Sequence, residues 1–176
     1  GRATGAKGTN GGGGGTGSSP GTLATINDLA REKGRSIGLV THIRLTNPTM
    51  AAFYTAAKNR PDEVAQSFVE GEKIDIALGG GSAEFVPDSK GGERRDGRDL
   101  VLELRRDGYE IVRTKAELEN VPRWRRPRLL GLFSSGEMAF ATQIAAGRPQ
   151  PAPPDLTRRA IPLLQWNPGG YLLIGD

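Results

Sequence analysis

The chain is predicted to fold as α/β, a mostly parallel sheet flanked by helices. Three observations carry that expectation. Short apolar runs recur along the sequence, stretches of helical spacing separate them, and the connections are short. Strands alternating with helices in this way close a parallel sheet covered on its faces.

The elements follow in order. Gly1 to Thr22 is dense in glycine and is expected to be a flexible segment, with residues 23–176 forming the α/β domain. Its Gly1, Gly5, Lys7 and Gly8 miss the spacing of a phosphate-binding P-loop. Thr25 to Lys33 reads as a helix, capped by Thr25 and stopped by Gly34, with Ile26, Leu29 and Ala30 on one face. Ile37 to Thr41 is the first strand. It delivers a polar turn and then a helix over Thr49 to Asn59, with Met50, Phe53, Tyr54 and Ala57 on one face. Such a strand–turn–helix unit places the turn where open α/β sheets hold ligands.

Pro61 starts the next helix, whose Asp62 and Glu63 suit its positive end, and which runs to about Val69. Ile74 to Leu78 is the second strand, ending at Gly79-Gly80-Gly81, where backbone can turn sharply or approach a ligand closely. A charged loop, Asp88 to Arg98, leads to a helix over Asp99 to Arg106 closed by Gly108. Tyr109 to Arg113 is the third strand, and Thr114 caps a short helix through Asn120. Arg123 to Arg128 is a basic loop with Trp124 expected to pack beneath it. Leu129 to Phe133 is the fourth strand and Gly147 to Pro154 an extended connector. Asp155 to Gln165 has helical spacing, with a kink or early end expected at Pro162. Tyr171 to Ile174 is the fifth strand.

Composition removes several classes of function. At 176 residues the chain suits one domain with a sizeable core. With no cysteine and one histidine, disulfides are excluded and the chain lacks the residue types from which closed structural zinc sites are mainly built. No apolar run is long enough to span a bilayer, and Gly1 to Thr22 has none of the apolar stretch of a secretory leader. A net charge of +4 favours anionic ligands without demanding nucleic acid.

Several stretches, taken in order, resemble the alkaline phosphatase family over nearly the whole chain. They are ATGAK with Asn10-Gly11, TINDLAREKGRSIGLVT, NPTMAAFY with KNR, IDIALGGG, DGRDLVLEL with GYEIV, LLGLF with Met138, and LTRRAIPLL with NPGGYLLI. The resemblance implies part of a three-layer α/β sandwich. It also implies phosphomonoester hydrolysis through a phosphoserine, with two zinc ions and one magnesium.

Carried onto this sequence, Arg60 matches the arginine that grips phosphate through its planar fork, a task suited to guanidinium. It is expected to aim at a pocket near the threonine turn and the final carboxylate. Thr49 matches a magnesium-site hydroxyl, although a threonine there is equally an ordinary N-cap. Asn47 stands where the family has Asp or His and offers a carbonyl oxygen without charge. Asp176 matches the magnesium-binding Glu, one methylene shorter, at a chain end where fraying is the plain alternative. His42 matches no zinc position, and Ser18, Ser19, Ser134 and Ser135 have no identifiable base.

The nucleophile segment is expected ahead of Gly1 and the zinc ligands beyond Asp176, so the isolated chain is expected to be inactive. The expected partner is a phosphate monoester or inorganic phosphate, with no nucleic acid and no membrane span. A homodimer or complementing chain is expected to cover an exposed sheet edge. The resemblance implies a periplasmic or extracellular protein. A catalytically silent anion-binding module stays open as the alternative.

Overall fold

A computed structural model of the chain describes residues 24–55, 60–71, 74–124, 127–140, 142–143 and 150–176. The glycine-rich segment, Gly147 to Pro149 of the connector, and Arg125 and Arg126 of the basic loop lie outside the described residues.

Five strands form one sheet: β1 (Ser36–Arg44), β2 (Ile76–Gly80), β3 (Tyr109–Val112), β4 (Arg128–Leu132) and β5 (Tyr171–Gly175). Their order is β3-β4-β2-β1-β5 and every pairing is parallel. Parallel neighbours need crossovers, which the helices supply. These are α1 (Ile26–Glu32), α2 (Pro48–Ala51), α3 (Pro61–Glu70), α4 (Leu100–Arg106), α5 (Lys115–Asn120) and α6 (Pro153–Leu164). Alternate strand residues feed two cores. Ile37, Leu39, Ala77, Leu130 and Leu132 pack with α1 to α4 on one face. Val40, Ile76, Leu78 and Leu129 pack with α5 and α6 on the other, giving three layers.

Local signals decide most boundaries. Thr25 and Thr114 close capping boxes with Asp28 and Glu117, Asp99 caps α4, and Pro61 opens α3. Gly34 and Gly108 take the left-handed conformation that ends a helix.

Five details differ from the sequence expectation. β1 runs three residues further, to Arg44, because its parallel pairing with β2 resumes beyond a bulge. The helix expected over residues 49–59 is only α2, beginning one residue earlier because Pro48 occupies its first turn; residues 56–59 lie outside the described residues. β2 begins two residues late and takes Gly79 and Gly80 into the sheet. α6 continues through Pro162, since the amide that proline lacks would have served the carbonyl of Arg158, an exposed residue, while Leu163 and Leu164 are buried. Trp124 is 75 % exposed and does not pack beneath its loop; its neighbour Trp166, also exposed, donates its indole N–H to the Arg123 carbonyl at 2.6 Å.

β5 forms one edge of the sheet. Beside it Ile26, Leu29 and Tyr171 are exposed, and Ile26, Leu29, Ala30 and Leu172 border an open cleft of about 280 Å³. The shared face of α1 thus reaches past the sheet, with Ala30 buried under it and Ile26 and Leu29 outside.

No helix among the described residues is long and apolar enough to cross a membrane.

Candidate functional site

All five strands end at one edge, and the polar side chains gather there. The chain leaves β2 toward the first face, to α4, and leaves β4 toward the second, to α6. Open parallel sheets place ligands in the crevice between two such exits. Here that crevice is closed. The amides of Gly81, Ser82 and Ala83 donate to the carbonyls of Gly136, Ser134 and Ser135 at 2.7, 2.9 and 3.2 Å. A Cβ on Gly80 would lie 2.2 Å from the Gly136 oxygen, so the glycine run lets two backbones meet rather than cradling a phosphate.

The open polar ground lies beyond β1 and β5, which are neighbours with Val40 opposite Gly175. That register sets Asp176 beside the end of β1, where His42 Nδ1 stands 3.5 Å from Asp176 Oδ1. Past β1, Asn47 caps α2 by accepting the Thr49 amide on its Oδ1 at 3.0 Å. Asn47, rather than Thr49, is therefore the N-cap, and the Thr49 hydroxyl makes no hydrogen bond among the described residues. Each of these groups is at least partly exposed.

Arg60 sits at the N-cap of α3, 69 % exposed, with its guanidinium against Asp62 at 2.8 Å and Glu63 at 3.8 Å. It borders a cleft of about 200 Å³ with Pro61, Asp62, Glu84, Glu93, Arg94 and Arg95. The structure thus brings Asp176 to the end of β1 and keeps Asn47 and Thr49 in one turn. It does not bring Arg60 to them as the sequence led one to expect: Arg60 borders a separate cleft that none of the three lines, and among the described residues its ionic partners are its own helix neighbours, which draw the exposed guanidinium back along α3.

Sequence reasoning missed the charged groups buried beneath this ground. Glu84, only 2 % exposed, accepts Arg44 Nη1 at 2.9 Å on Oε1 and the Thr46 hydroxyl on Oε2. The hydrogen bond to Glu84, followed by its charge, holds the Arg44 guanidinium above its ordinary pKa. Arg94, 1 % exposed, donates to Asp96 through Nε and Nη2, and from Nη1 to the carbonyls of Asp62 and Glu84 at 2.9 and 3.2 Å. Nothing in the one-dimensional pattern separates these two residues from the solvated charges around them.

The donor chemistry can be tested against the implied metals. A carboxylate, an amide oxygen and a hydroxyl are hard oxygen donors of the kind magnesium takes, and Asn47 Oδ1 keeps a second lone pair. Zinc finds no such match: among the described residues no three His, Cys, Asp or Glu side chains gather in a group able to hold an ion.

An all-parallel sheet covered by helices on both faces, with polar groups beyond two adjacent strand ends, defines a three-layer α/β protein. The chain belongs to the alkaline phosphatase family, whose profile matches residues 3–176. It is 30 % identical over 158 residues to alkaline phosphatase 3 of Bacillus subtilis (strain 168), covering 85 % of this chain and 31 % of that protein. With the alkaline phosphatase of Schizosaccharomyces pombe (strain 972 / ATCC 24843) it shares 32 % identity over 124 residues, or 66 % of this chain and 23 % of that one.

The alkaline phosphatase of Thermus thermophilus superposes with a TM-score of 0.73 at 31 % identity, over 83 % of this chain and 30 % of that one. The enzyme of the Antarctic bacterium TAB5 shares the fold at a TM-score of 0.69 and 23 % identity, over 85 % of this chain and 41 % of that one. A TAB5 form with a histidine-to-aspartate change, solved with Mg bound in its M3 site, does so at 0.64 and 22 %, over 85 % and 40 %. The chain spans about a quarter to a third of the length of these curated relatives (31 % and 23 %).

Proposed function

We propose that the complete protein is a phosphomonoester hydrolase working through a phosphoserine, and that this chain supplies its phosphate-binding arginine and part of a magnesium site. Family membership supports phosphatase chemistry in general. The observation that carries the finer reading is the pairing of β1 with β5, which sets Asp176 beside the strand that leads into the Asn47–Thr49 turn.

In this reading Arg60 exchanges its contacts with Asp62 and Glu63 for two phosphate oxygens. It can do so because its fork is exposed and its present ion pairs are surface pairs worth at most about 1 kcal/mol. Asn47, Thr49 and Asp176 would hold magnesium. Asp176 brings the one negative charge of that set, and Asn47 and Thr49 bring neutral oxygens, so affinity leans on Asp176. Magnesium, when bound, supplies a hard positive centre beside the reacting phosphate. His42 lies on the β1 side of the Asp176 carboxylate, with Nδ1 3.5 Å from Oδ1. In this reading the rest of the complete protein supplies the nucleophile and the zinc ligands, and the protein works in the periplasm or outside the cell. A phosphate monoester or inorganic phosphate is the ligand, and a homodimer or complementing chain covers the β5 edge.

The test is titration of the 176-residue chain with inorganic phosphate in the presence and absence of magnesium. Wild type is expected to bind, with Arg60→Ala weakening binding by at least about tenfold, as loss of a bidentate charged contact should. Equal binding by the two proteins would remove Arg60 from the site. Chelator-sensitive turnover of p-nitrophenyl phosphate by the isolated chain would overturn the assignment of nucleophile and zinc ligands elsewhere.

A further inference from the structure

We infer that Glu84 and Arg94 are positioning residues, forming a buried polar strut that sets the Asn47–Thr49 turn and the Arg60 end of α3 at a fixed separation. The mechanical claim stands on the geometry alone; its importance for phosphate rests on the function proposed above.

The strut can be followed atom by atom. Arg44 and Thr46 flank Leu45 at the exit of β1, and both donate to the Glu84 carboxylate, one to each oxygen. The next residue after Thr46 is Asn47. Glu84 passes the connection on through its own carbonyl, which accepts Arg94 Nη1 at 3.2 Å. The same nitrogen donates to the Asp62 carbonyl at 2.9 Å, in the first turn of α3. Asp62 in turn takes Arg60 Nη2 on its carboxylate at 2.8 Å. Asp96 holds the rest of the Arg94 guanidinium, so its orientation is fixed from both sides.

Burial makes this path stiff. Thr46, Glu84 and Arg94 are all nearly inaccessible to water. A buried charge that leaves its partner has no solvent to fall back on, so alternative arrangements of these groups are strongly disfavoured. An apolar column runs alongside: Tyr54 meets Phe68 edge-on at 5.6 Å, and Phe68 meets Phe85 at 5.8 Å. Tyr54 also donates its hydroxyl to the Leu45 carbonyl at 2.9 Å. The aromatic column supplies cohesion between the same elements, whereas the hydrogen-bonded path is directional. Gly81 completes the fit, because with φ near 90° it has no Cβ to press on Glu84 Oε2, which would lie 3.0 Å away.

The experiment reads each end of the strut after changing the other. Thr46→Val keeps the side-chain shape and removes the donor to Glu84. Amide hydrogen exchange at Val64, Ala65 and Gln66, in the helix that Thr46 reaches only through Glu84 and Arg94, is expected to quicken about tenfold, while β2 and β4 amides keep their protection. Thr46→Ser, which restores the hydroxyl, is expected to restore the wild-type rates. Arg94→Lys is expected to quicken exchange at the hydrogen-bonded amides of Asn47, Thr49 and Ala51 in the reverse direction. Should Thr46→Val fail to fold, Glu84→Gln gives the same remote reading. Loosening confined to the segment that carries the substitution would overturn the strut. Inorganic phosphate binding is measured on the same proteins, with about fivefold weakening in Thr46→Val and recovery in Thr46→Ser expected. If wild type and Arg60→Ala bind phosphate alike, the proposed function fails, and the exchange data still decide the strut.

Discussion

Arg94 and Arg60 border one cleft, yet Arg94 is 1 % exposed and bonded to a carboxylate and two main-chain carbonyls, whereas Arg60 is 69 % exposed and, among the described residues, held by two acidic neighbours on its own helix. The difference separates an arginine committed to the fold from one available to a ligand. Carbonyl acceptors in α3 and in the turn after β2 cannot leave Arg94 without losing a buried hydrogen bond. The carboxylates on Arg60 can turn to water at little cost. A buried guanidinium that saturates main-chain acceptors is a structural part. An exposed one at a helix start, over a polar cleft, is the better candidate for binding an anion.

Removing the committed arginine is the strongest way to break that comparison. Arg94→Ala strands the Asp62 and Glu84 carbonyls and leaves a large cavity where a fully buried side chain stood. Loss of about 3–5 kcal/mol is expected, the range for deleting one partner of a buried charged network. Urea unfolding of the 176-residue chain measures it, and a loss below about 1 kcal/mol would mean that Arg94 is not committed to the fold.

The contrast also explains what the sequence could disclose. Helix starts at Thr25, Pro61, Asp99 and Thr114 are readable because a cap acts over three or four residues. The five strands and their parallel arrangement follow from apolar runs alternating with helices. The extra length of β1 and the entry of Gly79 and Gly80 into β2 depend on register with distant strands, which local pattern does not encode. The helix after β1 is overestimated for a related reason, since helical spacing continues beyond the turn where α2 stops. Asn47, Thr49, Arg60 and Asp176 are found through family resemblance, not through composition. Glu84 and Arg94 stay hidden because their partners lie up to 40 positions away, in a stretch full of solvated charges.

A middle-sized effect sharpens the distinction through pH. Tyr109, like Arg94, gives its polar group to main chain, donating its hydroxyl to the Ile74 carbonyl at 2.6 Å. Burial, only partly offset by Arg128, pushes its pKa from 10.0 to about 12. The folded state then holds a proton that the unfolded state releases first. The stabilisation is therefore complete below pH 10, falls as pH rises, and is gone above about pH 12. About 2 kcal/mol should be lost across that window. Tyr109→Phe should flatten this part of the pH–stability curve, and an unchanged slope in the variant would deny the hydroxyl its buried role.

The smallest expected effect tests the other arginine. Arg60→Ala removes two surface ion pairs and no side-chain cap, since Arg60 makes no capping hydrogen bond through its side chain. Pro61 still opens α3, and Arg94 still anchors its first turn through the Asp62 carbonyl. The stability change should stay within about 0.5 kcal/mol, the ordinary range for an exposed substitution. Urea midpoints of wild type and variant give that value, at low and at high salt, because screening should erase what little the ion pairs contribute. A loss above about 1.5 kcal/mol would show that Arg60 belongs with Arg94 as part of the frame. A negligible loss in stability together with lost phosphate affinity would leave anion binding as the physical reason for an arginine at the mouth of this cleft.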